Sequence, residues 1–361
     1  MTPLHYWFVL LSTLSVSLCF SQEVRTYKIQ TIAFYNLENL FDYEDDPLVF
    51  DNDRTPDGKD HWTAEMYHAK LKNMAEVIAE IGADVTGALP VIVGVCEVEN
   101  RRVLEDLLNQ EPLVGNDYGI VHFDSPDRRG IDVALLYQKK LFTPTHYRAY
   151  PLFLYQEDDP LRRIFTRDQL VVSGVLDGDN IHLIVNHWPS RSGGEARSRP
   201  KRIQAAKLNK RIIDSLFGQD PYAKIITMGD LNDDPISPSV KRHLGTEKDR
   251  KELPLRALYN PMEGMFKKGL GTLAWRDSWN LFDQIIISSA FLSEEYSSYR
   301  FYKAGIYNKP YLANATGQYK GYPFRSYANG TYTGGYSDHF PVYIYLIKEV
   351  SEDNKPKRKV P

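Results

Sequence analysis

At 361 residues the chain is long enough for one large domain or two small ones, and 42% hydrophobic with 25% charged residues is an ordinary globular balance. That composition excludes a disordered, collagenous or coiled-coil protein. A net charge of −3 excludes binding to nucleic acid by bulk positive charge, though not by a local basic patch.

The chain opens on an apolar run from Tyr6 to Phe20, too short to span a bilayer and of the length of a signal-peptide core. Small residues around Ser21 predict cleavage there. Leu18 stands where a lipoprotein signal needs a small residue before Cys19, so lipidation is not expected. No second apolar span follows. The expectation is an exported protein, periplasmic or secreted, with no transmembrane segment. Its mature domain would cover 22–350, followed by a charged, frayed tail over 351–361. Cys19 leaves with the leader, so Cys96 has no partner for an intramolecular disulfide and reads as a buried residue at a strand end.

Nine apolar, β-rich runs follow: 28–36, 90–99, 117–124, 131–137, 169–176, 180–188, 224–230, 282–288 and 341–347. Two helical patterns lie between them. Residues 63–82 begin with Thr63 as N-cap and end at Gly82. Residues 198–218 carry Pro200 near the first turn and stop at Gly218. Strands interleaved with helices predict a layered α/β architecture. Residues 42–60 read as an acidic loop and 233–280 as an insertion. The Tyr- and Gly-rich stretch 302–336 reads as a loop that either faces substrate or packs on its own aromatic rings.

Polar residues recur where strands end. Asn36 and Glu38 close one strand, Glu97 and Glu99 another, Asn186 and His187 a third, and Asp230 and Asn232 a fourth. Asp283 opens a strand, and Asp338 and His339 precede another. If these strands share one architecture, their ends converge on one rim of carboxylates, amides and imidazoles. Oxygen-rich donors without cysteine suit Mg²⁺, with Mn²⁺ or Ca²⁺ as alternatives, better than Zn²⁺.

The ordered set "NLEN", "CEVEN", "RRGIDVALLY", "NHWPSR", "MGDLND", "FDQIII" and "YSDHFPV", spread over residues 28 to 347, resembles the endonuclease/exonuclease/phosphatase superfamily. That superfamily includes deoxyribonuclease I, exonuclease III-type nucleases, neutral sphingomyelinases and inositol-polyphosphate 5-phosphatases. In "GDLN", Leu231 replaces the aromatic residue usual in the family motif. The resemblance implies an α/β four-layer sandwich, two packed mixed β-sheets flanked by helices, with the site at one end. It also implies roles. Glu97 is the principal metal ligand, and Asn36 a nearby ligand or phosphate contact. Glu38 stands where some relatives carry a second metal-binding acid, and Asp338 would touch metal or fix the hydrogen bonds. Asp230 activates the attacking water and Asn232 holds a phosphate oxygen. His339 binds the scissile phosphate with Asp283 setting its tautomer. His187 acts as general acid or phosphate ligand, with Asp124 as the carboxylate behind it. Arg129 and Arg191 are candidate substrate contacts, with Arg197, Lys201 and Arg202 near Arg191. Asp233 and Asp234 form the turn into Pro235.

Together these imply a divalent-metal-dependent phosphodiester hydrolase, nuclease-like, acting as an endonuclease on nucleic acid. The alternatives are a phospholipid or inositol-phosphate hydrolase of the same fold, and a secreted binding module that has lost catalysis. The binding module would show broken motif positions, and here they are filled. Glu97 is followed by Val98, Glu99 and Asn100 rather than by a basic residue, which weighs against duplex DNA. Nothing in the sequence requires an obligate protein partner.

Overall fold

Two parallel crossovers organise the chain, whose computed structural model describes residues 25–350. The expected leader and tail lie outside the described residues. In chain order the first elements are β1 (Tyr27–Leu40), α1 (Ala64–Glu80), β2 (Ile92–Val98), α2 (Arg101–Leu108), β3 (Tyr118–His122) and β4 (Asp132–Gln138). A second group follows: β5 (Phe142–Tyr150), β6 (Gln169–Leu176), β7 (Asp179–His187), α3 (Glu195–Gln219), β8 (Ile225–Asp230), β9 (Thr246–Glu247), β10 (Leu258–Tyr259), α4 (Pro261–Phe266) and β11 (Asp283–Ser288). The chain then returns to the first group as β12 (Arg300–Ile306) and β13 (Val342–Glu349).

One sheet has the order β12-β13-β1-β2-β4-β3 and the other β9-β10-β11-β8-β7-β6-β5. At the centre of each sits a parallel pair joined through a helix, β1–α1–β2 and β7–α3–β8. Antiparallel strands flank both pairs, β13 and β4 in the first sheet and β11 and β6 in the second.

Side-chain alternation builds the layers. Ile32, Phe34, Ile92, Cys96, Leu183, Val185, Ile226, Met228, Ile285 and Ile287 point between the sheets and form one core. Ala33, Tyr35, Val93 and Val95 point the other way, onto Leu71, Met74 and Val103 of α1 and α2. Ile184, Ile225 and Ile286 face Ala205, Ile212 and Ile213 of α3. Three apolar seams between four layers make the expected sandwich.

The helix that caps the first sheet matches its sequence pattern. Thr63 accepts a hydrogen bond from the Met66 N–H, and Gly82 turns the chain out at φ +77°. The second helix departs from expectation. It begins at Glu195, after Gly193 and Gly194 at positive φ, and runs past Gly218 to Gln219. Ser198 bonds the Gly194 carbonyl and Arg199 pairs with Glu195, so an extra turn forms ahead of Pro200. Residues 233–280 are more built than an insertion. They hold two short edge strands, α4, and a hairpin of 273–275 with 278–280. In 302–336 the first residues belong to β12. Further along, Tyr327 and Tyr332 pack on Trp62, so the stretch is largely anchored by its own rings. No helix among the described residues is long and apolar enough to cross a membrane.

Candidate active site

The site follows from strand periodicity. Asn36, His187 and Asp230 each stand two residues beyond an inward apolar side chain, Phe34, Val185 and Met228 respectively. Asp283 stands two residues before Ile285, on the antiparallel neighbour of β8, and pairs directly across from Asp230. All four therefore point between the sheets where the apolar core ends. Parallel strands arrive with their C-terminal ends and antiparallel neighbours leave with their N-terminal ends, so both kinds of residue meet on one rim.

Glu97 reaches the rim differently. Val95 and Val98 both face the outer helices, so Glu97 is an extra residue in β2, and the pairing with β4 slips there. It sits at φ +60°, with Glu38, Asn39 and Asn232 also at φ between +47° and +53°. Four non-glycine residues in this region around one rim mark a place where backbone strain is kept for geometry. Gly229 answers a different demand. A Cβ there would lie 2.2 Å from the Asn186 carbonyl oxygen, so the tight pairing of β7 and β8 beneath Asp230 requires glycine.

The carboxylates and imidazoles converge. Ligand atoms of Glu97, His187 and Asp230 fall within 4.8 Å of one another, as do those of Asp230, Asp283 and His339. Asn36 Nδ2 donates to Asp230 Oδ2 at 3.2 Å and to Glu97 Oε1 at 3.4 Å, bridging the two acids. Its Oδ1 accepts from the Glu38 N–H at 2.9 Å. Asn39 N–H holds the other Glu97 oxygen at 2.9 Å. His339 Nδ1 lies 2.6 Å from Asp283 Oδ2, which leaves Nε2 facing Asp230 Oδ2 at 4.0 Å and Asp338 Oδ1 at 3.9 Å. Asn232 N–H donates to Asp230 Oδ1, and its side-chain amide donates to the Trp188 carbonyl.

Electrostatics divide these groups into acids and bases. Burial pushes the Asp230 carboxyl up to about 7; His339 opposes the rise, while Asp283 and Glu97 add to it. Burial would also lower His339, but Asp283, with Asp338 and Asp230, outweighs it and holds the imidazolium well above its ordinary range. His187 is driven well below its ordinary value by burial and by the cations Arg167 and Arg129, so it stands neutral. Two imidazoles that both face Asp230 thus carry opposite proton states.

Several expected residues sit elsewhere in the network. Glu38 is buried and turns inward: Arg325 Nε meets Oε1 at 3.1 Å, while Ser326 N–H and Oγ hold Oε2 at 2.6 and 2.8 Å. Its carboxylate is occupied from both sides and does not face Glu97. Asp338 Oδ2 pairs with Arg325 Nη2 at 3.0 Å. The pairing of Asp124 with His187 is corrected. The Asp124 side chain is 89% exposed and lies 3.9 Å from His122, and His187 Nδ1 has no partner among the described residues. Arg191 is corrected as a free substrate contact: it bonds the Asn232 carbonyl, Asp233 and Asp234 and stacks on Phe282. Arg202 is also claimed: it is fully buried against Asp233, 2.8 Å away. These two arginines lock the turn that presents Asp230 and Asn232. Glu99 is buried, with the Asp42 N–H on one oxygen. Arg129 stays half-exposed beside Asp127, close enough to His187 to depress its basicity.

Two groups escaped the sequence reading. Arg325, in a loop read only as aromatic, ties Glu38 to Asp338. Arg167 is buried with Nη1 on Asp127 and Nη2 on the Trp188 carbonyl, next to His187. Neither belongs to the sequence motifs that marked the rim.

A centre of two carboxylates bridged by an amide, one neutral and one charged imidazole, suits a divalent cation and an anionic oxygen substrate. Such a centre on the rim of a four-layer sandwich defines a phosphoesterase-type site. The sequence matches the Endonuclease/Exonuclease/phosphatase family over residues 31–348, and the chain belongs to that family. A search among curated proteins finds no match. Solved structures share the fold. An endonuclease/exonuclease/phosphatase family protein from Bacteroides thetaiotaomicron aligns with TM-score 0.52 and 16% identity, covering 90% of this chain and 97% of that one. D. rerio TDP2 complexed with single strand DNA product aligns at 0.50 and 14%, covering 88% and 98%. A mannosyl-6-phosphatase from Bacteroides thetaiotaomicron aligns at 0.50 and 16%, covering 88% and 99%. At these identities the likeness is one of fold.

Proposed function

We propose that this protein is an exported, divalent-metal-dependent phosphodiester hydrolase whose substrate is nucleic acid. The observation that carries the chemistry is the single cluster of Glu97, Asp230, His187 and the Asp283–His339 pair. Glu97, joined to Asp230 through the Asn36 bridge, would hold the cation, its carboxylate oxygen favouring Mg²⁺. Bound there, it would neutralise phosphoryl charge and act as Lewis acid. Asp230, beside the cation, is placed to take a proton from the attacking water. His339, held charged by Asp283, would donate from Nε2 to a phosphoryl oxygen. His187 is neutral and its Nε2 lies 3.7 Å from both acids, so it accepts or relays a proton rather than adding charge. Asn232, fixed by Asp230 and Trp188, keeps the turn in register.

A surface beside the site supports nucleic acid. Arg128 stacks on Phe50 at 4.8 Å, and Arg163 on Phe153 and Phe165 at 4.6 and 4.9 Å. All three rings are about half exposed. Arginines interleaved with open aromatic faces accept both phosphate and base stacking. The structural likeness to a TDP2 that holds single strand DNA product agrees with this reading.

A second reading has its own observation. Arg54, Lys70, Arg325, Trp62 and Tyr327, with the buried carboxylate of Glu38, line a small pocket next to Asn39. A pocket this small would receive a single compact group, as on an inositol phosphate, a phospholipid head or a sugar phosphate, rather than a polymer. Export rests on the apolar N-terminal run. The deciding experiment assays the mature chain on single-stranded and duplex oligonucleotides, sphingomyelin, an inositol polyphosphate and mannose 6-phosphate, with Mg²⁺, Mn²⁺ or EDTA. Metal-dependent cleavage of oligonucleotides, lost in His339→Ala, is expected. Turnover of only the compact phosphoesters would replace the nucleic-acid reading, and turnover of none would remove it.

A further inference from the structure

The Tyr- and Gly-rich segment is built to hold one arginine that the proposed chemistry does not yet use. Its backbone is fixed on both sides of Arg325. The Phe324 N–H donates to the Leu312 carbonyl at 2.7 Å, the Tyr336 N–H to the Phe324 carbonyl at 2.6 Å, and the Thr333 N–H to the Ser326 carbonyl at 2.9 Å. A short hairpin of 327–328 with 331–332 closes the turn between them. A Cβ on Gly335 would lie 2.3 Å from the Arg325 carbonyl oxygen, so the returning chain can pass this close only as glycine. From α1, Lys70 Nζ ties Ser326 Oγ to the Glu38 carbonyl.

The guanidinium held this way is anchored at two corners. Nε donates to Glu38 Oε1 at 3.1 Å and Nη2 to Asp338 Oδ2 at 3.0 Å. Glu38 precedes Asn39, whose N–H holds Glu97, and Asp338 precedes His339, so the two anchors stand on the two sides of the rim. Glu97 also acts on Arg325. Burial would lower the basicity of the guanidinium, but the charges of Asp338, Glu38 and Glu97 outweigh it. The third nitrogen, Nη1, has no acceptor among the described residues, and the side chain is 47% exposed. Neutralising two acids would need only a point charge, which a lysine supplies. A planar fork pinned at two corners also fixes the direction of its remaining donors, the arrangement that suits an oxyanion.

We propose that Arg325 is a substrate-contacting residue: anchored by Glu38 and Asp338, its Nη1 donates to a non-bridging oxygen of the substrate's phosphoryl group. The inference rests on the reading of this rim as a phosphoester site, and it holds for a polymer or a compact substrate alike. A guanidinium keeps its charge at every working pH, so it would stabilise negative charge on phosphorus-bound oxygen without titrating. Glu38 then has a use of its own: it holds an arginine in place instead of a metal. The aromatic rings of 302–336 anchor the segment, and this arginine is its reach into the site.

The test compares the mature chain with Arg325→Lys, which keeps a cation between Glu38 and Asp338 and removes the fork. Inorganic phosphate is titrated by calorimetry at saturating Mg²⁺, and Mg²⁺ is titrated alone. The expected result is phosphate affinity lower by roughly ten- to a hundredfold, the loss of one charge-assisted hydrogen bond, with Mg²⁺ affinity unchanged. If Arg325→Lys does not fold, Glu38→Gln with Arg325→Gln removes the cation together with its buried acid and serves the same comparison. Equal phosphate affinity in parent and variant, or a parent that binds no phosphate, would overturn the contact. Phosphate and Mg²⁺ weakened in the same proportion would show that Arg325 only holds Glu97 in place, and would overturn it equally. The assigned activity fails separately: a parent that binds phosphate through Arg325 but cleaves neither oligonucleotides nor compact phosphoesters leaves this inference standing.

Discussion

Asp230→Asn should make the metal-free protein more stable while removing its activity. Burial, partly relieved by His339 and reinforced by Asp283 and Glu97, raises the Asp230 carboxyl to about 7. In the unfolded chain it titrates near 3.9. The folded state therefore holds a proton that the unfolded state gives up as pH rises from about 4 to about 7. Stability falls across that window, and the cost is fully present above pH 7. A shift of about three units at ~1.4 kcal/mol each sets a ceiling of about 4 kcal/mol. Two terms reduce the gain on substitution. The Asn36 amide loses its acceptor on Asp230 Oδ2, worth about 1 kcal/mol, and the attraction to charged His339 disappears. Asn oxygen in place of Oδ1 keeps the Asn232 N–H bond. The expected net gain is ~1–3 kcal/mol at pH 8 and near zero at pH 4.5. Urea unfolding in EDTA at the two pH values measures it. A variant less stable than the parent at pH 8, or equally shifted at both, would refute the claim that burial of the Asp230 charge outweighs its partners. Saturating Mg²⁺ should raise the parent's midpoint more than the variant's.

Other substitutions probe separate parts of the site. Asp283→Asn should drop the His339 pKa toward its ordinary range, read by NMR titration of the ring, and slow metal-dependent turnover roughly 10²–10⁴-fold. An unchanged titration would remove Asp283 as the cause. Asp233→Ala leaves buried Arg202 and Arg191 without their shared acid and should cost about 3–5 kcal/mol by urea unfolding; a change under ~1 kcal/mol would show that the turn is held elsewhere. Phe165→Ala with Arg163→Ala should raise KM for an oligonucleotide about tenfold or more, yet leave hydrolysis of a small chromogenic phosphodiester unchanged. Parallel losses on both substrates would place those residues in folding instead.

The architecture was largely legible beforehand because it rests on local rules. Apolar alternation declared the principal strands, Thr63 and Gly82 declared the first helix, and polar residues at strand ends declared the rim. Where the local rules were overridden, the cause is tertiary. The helix over Glu195–Gln219 begins ahead of Pro200 because a glycine pair and an ion pair build an extra turn. Glu38 and Arg191 looked like Glu97 and Arg129 in one dimension, yet each was claimed by a neighbour far away in sequence: Arg325 and Ser326 for one, Asp233 and Asp234 for the other.

The sequence by itself determined the kind of centre: which strands end in acids, amides and imidazoles, and so that oxygen-rich chemistry would gather at one end of a layered sheet. Period-two alternation is written in neighbouring residues, so it survives without coordinates. Only the tertiary structure decided which of those acids stay free and which are neutralised, and that Asp124 faces solvent while Arg167 lies buried beside His187. It also decided the proton states that set Asp230, His187 and His339 apart. Burial and Coulomb partners are properties of packed layers, and the groups that supply them come from residues tens to hundreds of positions apart.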